Sequence, residues 1–580
     1  METLTVPPEN KPRDRFECSG GWYRLVLNGN PSETPPDLSG FASNQSGYRF
    51  ARYQTCPGRV HYALFRGAGF AEEAGSTPSD ELLERAAFWN DCLLLSFDLE
   101  TASWHILSNR AASIPVFWTR ANGRTVVSNN MVWLGGGSGQ IDPVAFAETL
   151  LWDVPLGDRT LRSAIHQLPA GFRLRISPSD AHVQRKFVLN IRPSAAEPNV
   201  PLSELVEHGA LLNARAVHRA ISPGLPLILP ISGGLDSRCI LGAVPTELMG
   251  SCNTVSFGHP GAFELAFGRA VARQCGASWR KYELDSAHYT ASQLPKLVRA
   301  GCGMTPLQHL HLSSALRQFP QGQSQVLIGY MGDPVAGADA EEKCNAVNAD
   351  GAVAAMFAKA GITQHAAAEL FGRHTVECIV DDLQRMFRDA ISENPAEAFL
   401  EYYFIVERQS KLVTHIFNHL HWSGHGLGFP FMDGEWARFF LALPPALRAN
   451  RSLFQKSLCA QRPDLARIPS TAGFAPFTAS APYRRCADLA AKYWNRACTA
   501  SQRISGYRFS LPNPFATELQ GAILRGPLHH QLLQSVEKLR TADLLSAPLA
   551  DFLISQKSLH RPWIGFRAIS TAHCLEEETT

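Results

Sequence analysis

The 13 cysteines include no CxxC pair, so neither a four-thiolate zinc site nor an ordered disulfide framework is expected. They read instead as small apolar residues of a chain in a reducing compartment. The opening Met1-Glu2-Thr3-Leu4-Thr5-Val6-Pro7-Pro8 has no basic stretch followed by an apolar core, so no secretory signal is expected. The longest apolar runs, such as Leu225 to Ile231, fall far short of a membrane span. Charge is nearly balanced at +2, and no basic block marks a nucleic-acid arm. The GxxxxGK[ST] pattern of a Walker A loop is missing as well. These absences leave a cytoplasmic protein with no membrane and no nucleic-acid partner as the expectation.

What is present is a folded chain of 580 residues, 45% hydrophobic and 18% charged, long enough for about two to four domains. The first part reads as β-rich. Short apolar stretches (Trp22 to Leu27, Cys92 to Phe97, Thr125 to Val127) alternate with turn signals such as Asn28-Gly29-Asn30 and Asn122-Gly123. A proline-rich, polar segment from Arg192 to Pro201 marks a boundary. Beyond it the pattern alternates: a helix over Leu202 to Ala220, a strand over Leu225 to Ile231, a helix from Arg238, a strand over Asn253 to Phe257, a helix over Phe263 to Gly276, and strands over Trp279 to Leu284 and Gln325 to Gly329. Such alternation predicts a parallel sheet covered on both faces. From about Ala352 the chain reads as mainly helical.

Between the first of these strands and the next helix lies Ser232-Gly233-Gly234-Leu235-Asp236-Ser237. That is where open α/β sheets bind ligands. Two glycines let backbone amides approach an anion, and the following helix start faces it. Ser232 and Ser237 add hydroxyl donors. Asp236 would repel bare phosphate, so its expected role is to hold Mg²⁺.

The hexapeptide resembles the PP-loop signature of the ATP pyrophosphatases, and its surroundings resemble the asparagine synthetase family, including the β-lactam synthetases and lasso-peptide cyclases. Asn253 to Gly258 resembles the strand bordering the adenine, Val326 to Asp333 the family's second glycine-acid loop, and Gly428 to Asp433 its PFLD segment. The resemblance implies ATP and Mg²⁺ as cofactors, with Ile231, Ser232, Gly233, Gly234, Asp236, Ser237, Ser256 and Gly329 on the nucleotide and Asp236 and Asp333 on the metal. Taken alone, Asp333 can also be read as a turn aspartate, and Asp433 reads as a helix N-cap.

Ser108-Asn109-Arg110, Ile114 to Trp118 and Val126 to Asn129 resemble the family's glutaminase domain, and Asp142 to Pro155 with Leu168 to Gly171 its exit. Glu2 stands where that chemistry needs a cysteine, the first cysteine is Cys18, and Ala111 replaces the aspartate expected after Arg110. No glutaminase activity is therefore expected. The implied architecture is α/β: an N-terminal Ntn-type glutaminase-like αββα sandwich (1–190, degenerate), a PP-loop, adenine nucleotide α-hydrolase-like synthetase domain with a parallel sheet (201–475), and a mainly helical C-terminal extension (476–580).

Tyr330 occupies a position where the asparagine-forming members carry glutamate and the β-lactam synthetases tyrosine. It can orient or deprotonate an amine if a carboxylate lies behind it, with Glu407 as the candidate and Glu401 as the alternative; it can equally be structural. The family's catalytic loop lysine has no counterpart in Ala466 to Gly473, where Arg467 is the available cation. The expected activity is an AMP-forming amide ligase joining a small-molecule or peptide carboxylate to an amine. Its setting would be biosynthesis of a natural product, lasso-type peptide or surface glycan, with a possible pathway partner protein. Asparagine synthesis and a non-catalytic scaffold are the alternatives.

Overall fold

The apolar stretches of the first half form two antiparallel sheets. Their strands are β1 (Arg15–Ser19), β2 (Trp22–Leu27), β3 (Arg49–Cys56), β4 (Arg59–Phe65), β5 (Cys92–Asp98) and β6 (Ser103–Leu107), then β7 (Phe117–Ala121), β8 (Arg124–Ser128), β9 (His166–Gln167), β10 (Phe172–Ile176) and β11 (Ala181–Arg185). One sheet runs β1-β2-β8-β7-β9, the other β11-β10-β6-β5-β4-β3. The computed structural model describes residues 15–19, 22–27, 48–76, 79–135, 139–191, 200–284, 293–320, 324–340, 348–422, 424–471, 474–505, 511, 527–555 and 562–575. Glu2, the Asn28-Gly29-Asn30 turn, residues 192–199 of the expected boundary and Ala472-Gly473 lie outside them.

Period-2 patterning decides what each sheet face meets. Val60, Tyr62 and Leu64 of β4 and Leu93, Leu95 and Phe97 of β5 share a core with Leu25, Trp118 and Val127 of the other sheet. Ala63, Phe65, Cys92 and Leu94 point the opposite way, onto Phe70, Leu83 and Ala86 of the helices Gly69–Ala74 and Asp80–Trp89. Asn122 and Gly123 join β7 to β8 with φ of 52° and 73°, the left-handed pair that a two-residue hairpin turn requires. The C-terminal helices Pro527–Thr541 and Pro562–His573 return to this half, where Leu528, Leu532 and Phe566 pack with Phe117, Phe146 and Leu150.

The second half is built on a parallel sheet of β12 (Leu227–Pro230), β13 (Cys252–Gly258), β14 (Ser278–Glu283), β15 (Gln325–Leu327) and β16 (Gly426–Gly428), in the order β14-β13-β12-β15-β16. Leu227, Ile228 and Leu229 are all buried because helices cover both faces. The helix Leu202–Ala220 contributes Gly209, Leu212, Asn213, Ala216, Val217 and Ala220, a stripe at helical period. The chain leaves β12 for β13 on one side and later enters β15 on the other. The crevice at the carboxyl ends of β12 and β15 is thus the topological switch point, where such sheets bind ligands. The fold is a mixed α/β architecture of two antiparallel sheets, a parallel sheet and C-terminal helices. Among the described residues no helix is long and apolar enough to cross a membrane, and no disulfide joins the described cysteines.

A long helix precedes β16 in the chain. It is α over Phe399–Tyr403, π over Phe404–Val413 and α again over Thr414–Trp422. Its last segment buries His415, His419 and His421, and burial pushes each imidazole down to about 3. The unfolded chain therefore binds more protons than the folded one between about pH 6.5 and 3, so these histidines cost stability as pH falls through that window. For one such histidine the loss at pH 5 is about 2 kcal/mol. His421→Gln cannot titrate, so between pH 7 and pH 5 it should lose about 2 kcal/mol less stability than the native chain in urea unfolding. Equal losses in the two proteins would refute the assignment.

Candidate active site

The hexapeptide continues β12 directly. Ile231 is buried, its N–H donates to the Val255 carbonyl at 2.8 Å, and the chain then turns into the helix Asp236–Ala243. Ser237 Oγ accepts from the Ser232 N–H at 3.1 Å and lies 3.2 Å from Ser232 Oγ, which accepts from the Gly234 N–H at 3.1 Å. The two serines thus shape the turn from inside.

The two glycines differ in what surrounds them. A Cβ on Gly233 would lie 2.6 Å from Thr471 Cγ2 and 3.1 Å from Phe267 Cβ, so Gly233 is needed for packing. On Gly234 a Cβ would meet only Ser232 Oγ, at 3.1 Å. Arg238, which the sequence reading passed over, fixes the turn to the segment that follows the helix Pro463–Ala466. Its Nη1 donates to the carbonyls of Leu465 (2.9 Å) and Ile468 (2.6 Å), its Nη2 to those of Gly233 (3.1 Å) and Pro469 (3.0 Å). Its guanidinium lies 5.0 Å from the Phe477 ring centroid, and burial lowers its pKa to about 10.

Asp236 opens the helix after β12, and Asp333 lies in the short helix Gly332–Val335 after β15. The switch point brings them together, and one cation lies between them. Arg451 Nη1 pairs with Asp333 Oδ1 and stands 3.8 Å from Asp236 Oδ2. Asn450 and Arg451 both adopt left-handed backbone (φ 53° and 58°), which directs this arginine from the start of the helix Ser452–Gln461. Gly329 and Gly332 leave room for Asp236: a Cβ on Gly329 would lie 2.8 Å from Asp236 Cβ, and one on Gly332 2.8 Å from its Oδ1.

Burial, and then the neighbouring Asp333 charge, push the Asp236 carboxyl well above the ordinary carboxylate range, while Arg451 opposes the shift. Asp236 Oδ1 is buried without a hydrogen-bond partner among the described residues. An unsatisfied carboxylate oxygen beside a second carboxylate suits a hard cation. Among the described residues no cluster of three or more His, Cys, Asp or Glu could hold a metal by protein ligands alone. The residues present therefore fit a Mg²⁺ that keeps waters or phosphate oxygens in its remaining positions.

Other expected residues take different places. Tyr330 is buried, and its hydroxyl lies 2.7 Å from Thr414 Oγ1, 3.2 Å from the Ala111 carbonyl and 3.3 Å from the Gln409 carbonyl. Burial raises its pKa well above that of ordinary tyrosine. Glu407 is not brought to it. The Glu407 carboxylate pairs with Lys411 Nζ at 3.0 Å and accepts from the Gly157 N–H at 3.2 Å, and Lys411 donates to the carbonyls of Pro155 and Gly157, each at 2.6 Å. It therefore docks the first half against the π-helix. Glu401 is bound in the same way by Arg448. Ser256 Oγ donates to the Ile231 carbonyl at 2.7 Å and accepts from Trp279 Nε1 at 2.9 Å, so its hydroxyl serves the sheet. Arg467 is exposed at the end of the helix Pro463–Ala466. Asp433 is the N-cap the sequence suggested, accepting from the N–H groups of Glu435 and Trp436 at 3.1 Å. Arg110 reaches the same segment from the first half: its Nη2 donates to the Phe431 carbonyl at 3.5 Å.

The central-strand turn and the switch-point carboxylates define a PP-loop-like α/β unit. The profile of the asparagine synthase family matches residues 210–464, so this region is homologous to that family and links the protein to ATP-dependent amide-ligase-like proteins. No curated protein matches. One similar solved structure is a glutamine phosphoribosylpyrophosphate (PRPP) amidotransferase from B. subtilis complexed with ADP and GMP, 10% identical, covering 48% of this chain. The match spans 63% of that protein, less than two thirds, with a TM-score of 0.16.

Proposed function

We propose that the protein is an AMP-forming amide ligase: it adenylates a carboxylate with ATP and lets an amine displace AMP. The observation that carries this reading is the convergence of Asp236 and Asp333 from adjacent strand ends onto one cation, with Asp236 Oδ1 unsatisfied. The first half is read as a degenerate amidotransferase-type sandwich (1–190), followed by the synthetase domain (201–475) and a helical extension (476–580).

In this mechanism the turn at Ser232 to Ser237 and the start of the helix Asp236–Ala243 receive the β- and γ-phosphates. A bound Mg²⁺, held by Asp236 and Asp333, would screen the phosphate charge. A carboxylate oxygen attacks the α-phosphorus, the bond between the α-phosphorus and its bridging oxygen breaks, and pyrophosphate leaves. The amine nitrogen then attacks the acyl carbon, AMP leaves, and the amine loses a proton. Arg451 is the cation of the site in place of the missing loop lysine, and its role is to receive charge on the departing pyrophosphate. Tyr330 is assigned as a positioning residue on the amine side, because its hydroxyl meets Ala111 of the first half and the π-helix rather than the hexapeptide.

Acid-dependent exchange of labelled pyrophosphate into ATP isolates the first half-reaction. Tyr330→Phe should leave that exchange within about twofold of the native rate and slow amide formation by about 10²-fold, the scale on which a misplaced reactant costs rate. Equal loss of both steps would make Tyr330 a packing residue. A binding-only reading has one observation in its favour, since Arg451 already supplies a protein counter-charge to the two carboxylates. Pyrophosphate exchange distinguishes the two.

A further inference from the structure

Far from the hexapeptide in sequence, the helices Pro143–Trp152, Ala349–Ala360, Gln364–Phe371, Ala547–Ile554 and Pro562–His573 border a cavity of about 320 Å³. That volume lies at the lower end of the range of ligand sites. Twelve of the described residues line it: ten are apolar or glycine, two are cationic (Lys359 and Arg567), and none of the twelve is acidic.

The cationic end is built into the core. Arg567 is 7% exposed; its Nη2 pairs with Asp153 and its Nη1 donates to the Leu150 carbonyl at 2.5 Å. Its Nε–H is buried and has no partner among the described residues. A buried donor left unmade costs free energy that an acceptor on a ligand recovers. Lys359, whose Nζ lies 4.5 Å from the Phe404 ring centroid, is the second cationic residue of the lining. The remaining lining, including Leu370, Phe371, Leu549 and Phe552, offers only apolar contact.

We propose that this cavity binds a small aliphatic carboxylate, its head group on Arg567 Nε and Lys359 and its chain among Leu370, Phe371, Leu549 and Phe552. One unmade N–H and one ammonium in the same lining supply donors for the two oxygens of a carboxylate. Two cations and no acid among the described lining residues set the sign of the ligand, and the apolar remainder sets its chain. The site stands apart from the ATP reading and does not depend on it.

The test is calorimetric titration of the full chain, without nucleotide, with hexanoate, octanoate, octan-1-ol and octylamine. Octanoate should bind saturably at one site, about fifteenfold tighter than hexanoate, because each added methylene is worth about a fourfold gain when fully buried. Octylamine should not compete. Lys359→Met, at an exposed position, should weaken octanoate about tenfold or more and leave octan-1-ol unchanged, and Leu370→Trp should abolish both by filling the space. Arg567→Met should act as Lys359→Met does; if loss of the Asp153 pair prevents its folding, the other two variants decide. No saturable octanoate binding, equal binding of octylamine, or octanoate binding unaffected by Leu370→Trp would each overturn the proposal.

Discussion

Asp236→Asn is expected to reduce acid-dependent pyrophosphate exchange by on the order of 10²–10³-fold, the scale of losing one preorganised group that stabilises transition-state charge. The same substitution should raise rather than lower the melting temperature of the ligand-free protein. Asp236 carries an unsatisfied buried oxygen and sits against Asp333, so the folded state holds its ionised form at a cost. A group whose folded pKa is raised contributes most at low pH and loses that contribution as pH rises from the ordinary carboxylate range through the folded value. The gain from Asp236→Asn should accordingly be larger at pH 8 than at pH 4. Lower stability together with unchanged exchange would mean that the carboxylate is structural.

Arg451→Ala is the second large effect expected. With the cation removed, the two carboxylates face each other without a counter-charge, so less Mg²⁺ should be needed for half-maximal ATP binding. Exchange should nevertheless slow by about 10² or more, because the charge on pyrophosphate loses its partner. Arg451→Lys should restore part of the rate, since lysine keeps the charge but not the planar fork. A rate equal to that of the native protein in Arg451→Ala, with only the magnesium requirement altered, would show that Arg451 does no more than neutralise the site.

The strand at Leu227, the helix Leu202–Ala220 and the position of Asp333 at a strand end were legible because local pattern alone specifies them: continuous burial, a 3.6-residue stripe, an apolar run ending in glycine. Asp433 as a cap was legible for the same reason. Arg451 was not. It lies far along the chain from both aspartates, and its direction comes from two consecutive left-handed residues that no periodicity announces. The separation of Glu407 from Tyr330 had a readable signal in Lys411, four residues on, the spacing at which opposite charges pair along a helix. Its bonds to residues 155–157 are tertiary and left no trace in the local sequence, and neither did the π-helical stretch that carries it. Gly233 carries a packing constraint as well, since Thr471 and Phe267 fill the space beside it, and no local pattern announces that contact.

The bond that breaks in ATP separates this ligase mechanism from a kinase-like one. Phosphorus NMR of the protein with ATP, Mg²⁺, a panel of amino acids and peptide carboxylates, and hydroxylamine as the trapping amine reads it directly. AMP and pyrophosphate are expected in equal amounts, dependent on a carboxylate in the panel and lost in Asp236→Asn. ADP and inorganic phosphate as the products would contradict the ligase mechanism.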